Sequence, residues 1–180
     1  MLRSAFVAGI VILAGCSVMP VTNVPTAPSV DIDRFMGDWY VIAHIPTALE
    51  KQAYNAVESY SYRGDGVVDT TFSFRKGGFD GKEKVYHPTG FIQPNTNNTV
   101  WRMQFLWPLK ADYRVVYLDD SYATTIIGRN QRDYVWIMAR EPELPEAVYA
   151  TLVDRVAEAG YDVSGIRKVP QRWDTPVVSM

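Results

Sequence analysis

The sequence predicts an all-β fold, an eight-stranded antiparallel up-and-down β-barrel with one C-terminal α-helix packed on its outside. Three observations predict it. Eight short runs rich in β-branched and aromatic residues follow one another between turn signals, the pattern of a barrel or sandwich. Gly37 and Trp39 open the first run, and Arg140 closes the last about a hundred residues on. A single amphipathic helical segment then follows. The glycine lets the chain turn, the indole fills one end, and the guanidinium lies across the indole face, a cation–π contact worth about 0.5–2 kcal/mol. A barrel plugged at one end and open at the other is a cup.

Taken in order, the chain opens with Arg3 and an apolar run, Ala5 to Leu13, too short to cross a bilayer as a helix. It has the length of a secretory h-region, so residues 1–15 read as a signal peptide. Leu13-Ala14-Gly15-Cys16 resembles the bacterial lipobox, whose cysteine is acylated with chains such as palmitate; the alternative is an ordinary signal peptide that carries a cysteine. Cys16 is the single cysteine of the chain, so it has no internal disulfide partner. Several acyl chains on one site give stable anchoring. Ser17, where an aspartate would resemble an inner-membrane retention signal, points to the outer membrane, facing the periplasm. Residues 16–30, with Pro20, Pro25 and Pro28, read as a lipidated N-terminus and extended tether. Asp31 is placed to cap a helical turn at Ile32–Met36.

The expected strands are Trp39–Ile45, Ala56–Tyr62, Val67–Arg75, Lys84–Ile92, Thr99–Leu106, Tyr113–Leu118, Tyr122–Gly128 and Tyr134–Ala139. Gly64-Asp65-Gly66 supplies a hairpin turn, and Asn95 to Asn98 another. Pro145 starts the helix, Val148, Leu152 and Val156 form its apolar stripe, and Gly160 ends it. Ile166–Val169 adds one more strand beside the first. Eight strands closing on themselves leave an interior for one small ligand and no free sheet edge.

The chain of 180 residues suits one domain with a sizeable core. Its net charge of −2 offers no basic footprint for nucleic acid. Strand alternation sorts the faces. With Trp39 and Arg140 inward, Val41, Ala43, Trp136 and Met138 face the cup. Phe72 and Phe74 alternate with Thr71 and Ser73, and Trp101, Met103 and Phe105 with Arg102 and Gln104, so these five face it too. On the second strand either Tyr60 and Tyr62 or Val57, Ser59 and Ser61 form the inner set. The interior is expected to be large and apolar. Arg75, Lys84 and His44 are candidates to meet a polar head group.

These features resemble the lipocalins. Gly37-Asp38-Trp39-Tyr40 matches the family's G-x-W motif, Asp112-Tyr113 its acidic-aromatic pair opening the sixth strand, and Arg140 its arginine after the eighth. The resemblance implies that Gly37, Trp39, Asp112, Tyr113 and Arg140 together close the barrel. The similarity runs from about Asp31 to Trp173, giving a lipocalin domain at 31–174 and a tail at 175–180. Lipoprotein lipocalins of the bacterial outer membrane, themselves similar to apolipoprotein D, look nearest. The segment between the third and fourth strands, Asp69 to Lys82, departs by being longer. The resemblance implies binding, storage or transport of fatty acids or lysophospholipids for envelope maintenance, with no cofactor and no metal. About eight buried methylenes at about 0.8 kcal/mol each, less association costs of several kcal/mol, give micromolar affinity.

No Ser lies in a G-x-S-x-G elbow and no metal-ligand spacing occurs, so an enzyme is not expected. Convergence of His44 and His87 across the barrel is the catalytic alternative. A structural envelope lipoprotein acting through its outer surface is a third class, with Tyr40 and Tyr117 as outward aromatics and a homodimer as one arrangement.

Overall fold

The computed structural model describes residues 23–173. Cys16, the expected signal segment and the tail 175–180 lie outside the described residues. Asp31 caps α1 (Ile32–Phe35) by accepting the Arg34 N–H. The strands are β1 (Gly37–Ile45), β2 (Ala53–Gly64), β3 (Val67–Lys76), β4 (Glu83–Tyr86), β5 (Thr89–Ile92), β6 (Val100–Leu106), β7 (Leu109–Leu118), β8 (Thr124–Gly128) and β9 (Val135–Ala139). Helix α2 (Glu146–Glu158) and the short β10 (Arg167–Lys168) follow.

Successive strands pair antiparallel and β9 returns to β1, closing an eight-stranded barrel. The expected fourth strand is split at Pro88 into β4 and β5, both paired with β3. Proline has no N–H for a ladder; its carbonyl instead accepts the Thr70 N–H at 3.1 Å.

The C-terminal segment enters the wall and changes which residues face inward. β1 pairs with β2 only from Gly37 to Tyr40. Beyond that point β10 pairs with Ala43 and His44. Val169 N–H donates to Ile42 O at 2.9 Å, and the Gln171 amide donates to Val41 O at 2.8 Å. On β2, Asn55 adopts φ of 47° and exchanges hydrogen bonds with Arg172. On its other side β1 slips register against β9 between Val41 and Ala43. Such a bulge resets the alternation. Val41 faces the interior, Ile42 and Ala43 both pack outward beneath α2, and His44 turns in. The inward placement of Ala43 is thereby corrected.

Leu152 and Val156 seat α2 on Ile42, Ala43, Ile126 and Ile137. Val148, expected in that stripe, is 39% exposed. Gly160, at φ of 88°, follows the helix in the left-handed region that commonly ends one. Tyr40 packs on Trp173 with ring centroids 5.3 Å apart, and Arg155 lies over Tyr117 at 4.2 Å. The aromatics expected to offer a dimer surface are therefore partly covered by the chain's own C-terminal third.

Residues 24–30 are not a free tether. Val24, Ala27 and Val30 are buried, and their N–H groups donate to Asn130 Oδ1, Val115 O and Asn97 O at 2.8, 2.9 and 3.0 Å. Pro25 and Pro28 keep this stretch extended while every third residue packs down.

Candidate functional site

The base is saturated with bonds. Arg140 leaves β9 with its guanidinium carbon 3.8 Å from the centroid of the Trp39 ring. Nη2 donates to the carbonyls of Arg34, Phe35 and Met36 at 2.9, 3.0 and 2.9 Å, and Nη1 to Asp38 O at 2.7 Å. The first three carbonyls end α1 and Asp38 O lies in β1, so the cation meets acceptors that a helix terminus leaves orphaned. Trp39 is fully buried and its Nε1 donates to Phe35 O at 2.8 Å. Gly37 sits at φ of 90°, and a Cβ there would lie 3.5 Å from Arg140 Nη1. Phe35, Tyr60 and Trp101 complete the plug at centroid spacings of 5.6 to 5.8 Å.

A second seal at the base corrects the placement of Asp112. The β7–β8 turn brings Tyr122 there: its hydroxyl accepts Asp31 N–H at 2.8 Å, and Arg34 lies 3.9 Å over its ring. Asp119 organises the turn by accepting from Ser121 and Thr124. Asp112, at the opposite end of β7, instead accepts from Arg114 Nε and Asn130 N–H at 2.9 and 2.7 Å. Tyr113 stacks on Trp101 at 5.2 Å and borders the space above. In an up-and-down barrel successive loops alternate ends, so β7 starts at the mouth and finishes at the base.

Above the plug the barrel opens into a cavity of about 320 Å³. Phe72, Met103, Ala111, Tyr113 and Trp136 wall it, and Thr47 to Glu50, Phe105, Arg129 and Tyr134 form its mouth. That volume is at the low end of the roughly 300–1,000 Å³ of small-ligand sites, room for one slender molecule. Of the residues expected to line it, Phe72, Met103, Phe105 and Trp136 do. Val41, Phe74 and Met138 face inward within solid core, and Trp101 belongs to the plug, its Nε1 donating to Asn98 O at 2.7 Å. The mouth is ringed by exposed apolar groups, Leu49, Phe105, Leu106, Leu109 and Trp107, the last 81% exposed. A larger recess of about 450 Å³ between Asn55, Arg75, Phe79 and Arg172 shares no lining residue with this cavity.

The interior carries acids that strand alternation did not reveal. The inner set of β2 is Ala56, Glu58 and Tyr60; Tyr62 is exposed. Glu58 is buried and accepts the Tyr60 hydroxyl through Oε2, and the hydroxyls of Tyr60 and Tyr113 are 2.7 Å apart. Burial raises the Glu58 pKa to about 7; the Tyr60 bond opposes the rise and the charge of Glu50 adds to it. Burial also holds both tyrosines well above their ordinary range. Glu50, carried in by the β1–β2 loop, takes His44 Nδ1 at 3.1 Å and Trp136 Nε1 at 2.8 Å on Oε2, and Thr47 on Oε1 at 2.8 Å.

The head-group candidates fall elsewhere. His44 is engaged by Glu50, Arg75 donates to Gly81 O at 3.2 Å, and neither Arg75 nor Lys84 borders the cavity. His87 is exposed and bonds Thr71, so the two histidines have separate partners. The cation at the mouth is Arg129, whose Nη1 and Nη2 donate to Asp133 and Gln131 at 3.1 Å each, while its buried Nε has no partner.

Residues 30–171 match the Lipocalin-like domain. The chain is 31% identical over 157 residues to temperature-induced lipocalin-1 of Arabidopsis thaliana, covering 81% of each. It is 26% identical over 166 residues to the outer membrane lipoprotein Blc of Escherichia coli K12, covering 91% of this chain and 92% of that one. Among solved structures it superposes on insecticyanin from the tobacco hornworm Manduca sexta with a TM-score of 0.65 at 18% identity, over 82% and 84% of the two chains. With its plug, its closed barrel and its cavity, the chain belongs to the lipocalins, a family that binds small hydrophobic ligands.

Proposed function

We propose that this lipocalin is a membrane-tethered carrier of single-chain lipids, fatty acids or lysophospholipids, serving envelope maintenance without chemistry of its own. The observation that carries this reading is a one-chain cavity walled by Phe72, Met103 and Trp136 and opening through exposed apolar side chains. An apolar rim gives a hydrocarbon tail a continuous path from a bilayer into the barrel. Acylation of Cys16 holds the protein at the periplasmic face of the outer membrane; the lipobox-like sequence and the similarity to a protein named an outer membrane lipoprotein support that location.

Titration with a lysophospholipid is expected to change Trp136 fluorescence and saturate at one equivalent with a Kd of about micromolar order. A signal that stays flat through excess lipid contradicts the binding reading. Intact-mass measurement of the mature protein tests the anchor separately: acyl mass on Cys16 supports it, and a bare N-terminus rejects it.

A further inference from the structure

We infer that the inner end of the cavity is a polar subsite for a ligand terminus that donates hydrogen bonds, a long-chain amine or alcohol, and that it discriminates against a free carboxylate entering polar end first. This rests on the reading above that the cavity takes one single-chain lipid, and it replaces the carboxylate of a fatty acid with a hydrogen-bond-donating terminus at the inner end.

A purely apolar chain needs no buried acid, and burying a carboxyl without full pairing is costly. Glu58 is nonetheless 9% exposed and borders the cavity. Tyr60 has one hydroxyl proton and gives it to Glu58 Oε2, so at the 2.7 Å contact Tyr113 must donate to Tyr60. The relay Tyr113 to Tyr60 to Glu58 therefore ends on a carboxyl whose Oε1 takes no side-chain or backbone bond among the described residues.

An independent observation points the same way. Thr70, paired with Tyr60 across β2 and β3, is 3% exposed, and its Oγ1 has no partner. It shares the inner face of β3 with Phe72, which walls the cavity. A free carboxyl oxygen thus belongs to a residue lining the inner end of the space, and a free hydroxyl is buried in the neighbouring wall behind that lining.

The charges around them decide the ligand class. Glu50 approaches from the β1–β2 loop with both oxygens occupied, and His44 on β1 is held by it. Tyr60 and Tyr113 contribute from β2 and β7. The one Lys or Arg lining the cavity, Arg129, sits at the mouth with both terminal nitrogens engaged. Three acids line the space, Glu50, Glu58 and Asp112, the last with a buried Oδ1 that has no partner, so a carboxylate entering polar end first would meet like charge. An ammonium would meet the free Oε1 of an ionised Glu58, and charge-assisted hydrogen bonds are about twice as strong as neutral ones. A hydroxyl fits Glu58 in either protonation state, because it both donates and accepts.

Glu58 titrates near 7, which supplies the test. With its Oε2 accepting from Tyr60, the neutral carboxyl carries its proton on Oε1. Ionisation favours an amine and opposes a carboxylate. Dodecylamine, dodecanol and dodecanoate compete against the hydrophobic fluorophore N-phenyl-1-naphthylamine on the purified protein, at about pH 5.5 and about pH 8.5, either side of that titration.

At the higher pH dodecylamine is expected to displace the probe at a concentration roughly tenfold below dodecanoate, with dodecanol unmoved by pH. In Glu58→Gln the amine and carboxylate should converge to within about threefold and lose their pH dependence. Wild-type amphiphiles that rank alike at both pH values overturn the inference while leaving lipid binding intact. This comparison needs no variant to fold. If neither the fluorophore nor any of the three binds, the broader binding reading fails with it.

Discussion

Arg140 at the base and Arg129 at the mouth each lie over an aromatic ring, 3.8 Å from Trp39 and 5.3 Å from Tyr134. The first gives four hydrogen bonds to main-chain carbonyls. The second bonds side chains of its own loop and leaves a buried Nε without a partner. At the base the indole is sealed; at the mouth Trp107 is almost wholly in water. Similar residue types therefore serve opposite ends. Where both terminal nitrogens meet fixed main-chain acceptors the pair locks the fold, and where a donor and apolar faces are left over the end is free to meet another molecule.

The sharpest way to break this contrast is at the plug. Trp39→Ala removes a fully buried indole and is expected to cost about 3–5 kcal/mol in urea unfolding. Arg140→Lys keeps the charge but not the fork that reaches four carbonyls, and about 2 kcal/mol should be lost. A loss below about 0.5 kcal/mol in both would mean that the base is not the lock.

Glu58 comes next, with a definite sign. Its folded pKa lies near 7, above the ordinary carboxylate value, so between about 4.5 and 7 the folded state holds a proton that the unfolded state has released. Stability should therefore fall as pH rises through that window and level off above it. Glu58→Gln should flatten the slope and gain on the order of 2 kcal/mol at about pH 8. Unfolding curves across pH that show the same slope in both proteins would refute this. The smallest stability effect belongs to the rim: Trp107→Ser should change it by no more than about 0.5 kcal/mol while weakening partition onto lipid vesicles. A large loss of stability would show that the rim is part of the core.

Much of the fold was legible because its signals are local. Turn residues and period-two runs located the strands, and Gly37, Trp39 and Arg140 located the plug. What escaped was non-local. Ala43 points away from the lumen because residues 167–172 enter beside β1 and force a bulge, an event that β1's own pattern does not record. Glu58 escaped, and the choice between the two faces of β2 stayed open, because β2 carries apolar groups on both faces, Val57 being buried as well as Tyr60. Asp112 was misplaced although a signal existed: counting strands from Trp39 puts the end of β7, with Asp119 and Tyr122, at the base. Pro88 likewise marked a break in the fourth strand.

The central claim is that the space above the plug, not the outer surface, receives the lipid. Ala111 walls that space and belongs neither to the plug nor to the acid cluster. Titration of lysophospholipid into wild type and Ala111→Trp by isothermal calorimetry tests it directly. The expected result is one site of about micromolar Kd in wild type, weakened at least about tenfold by the added indole, with the melting temperature nearly unchanged. Equal binding by both proteins would place the lipid outside the barrel and contradict the claim.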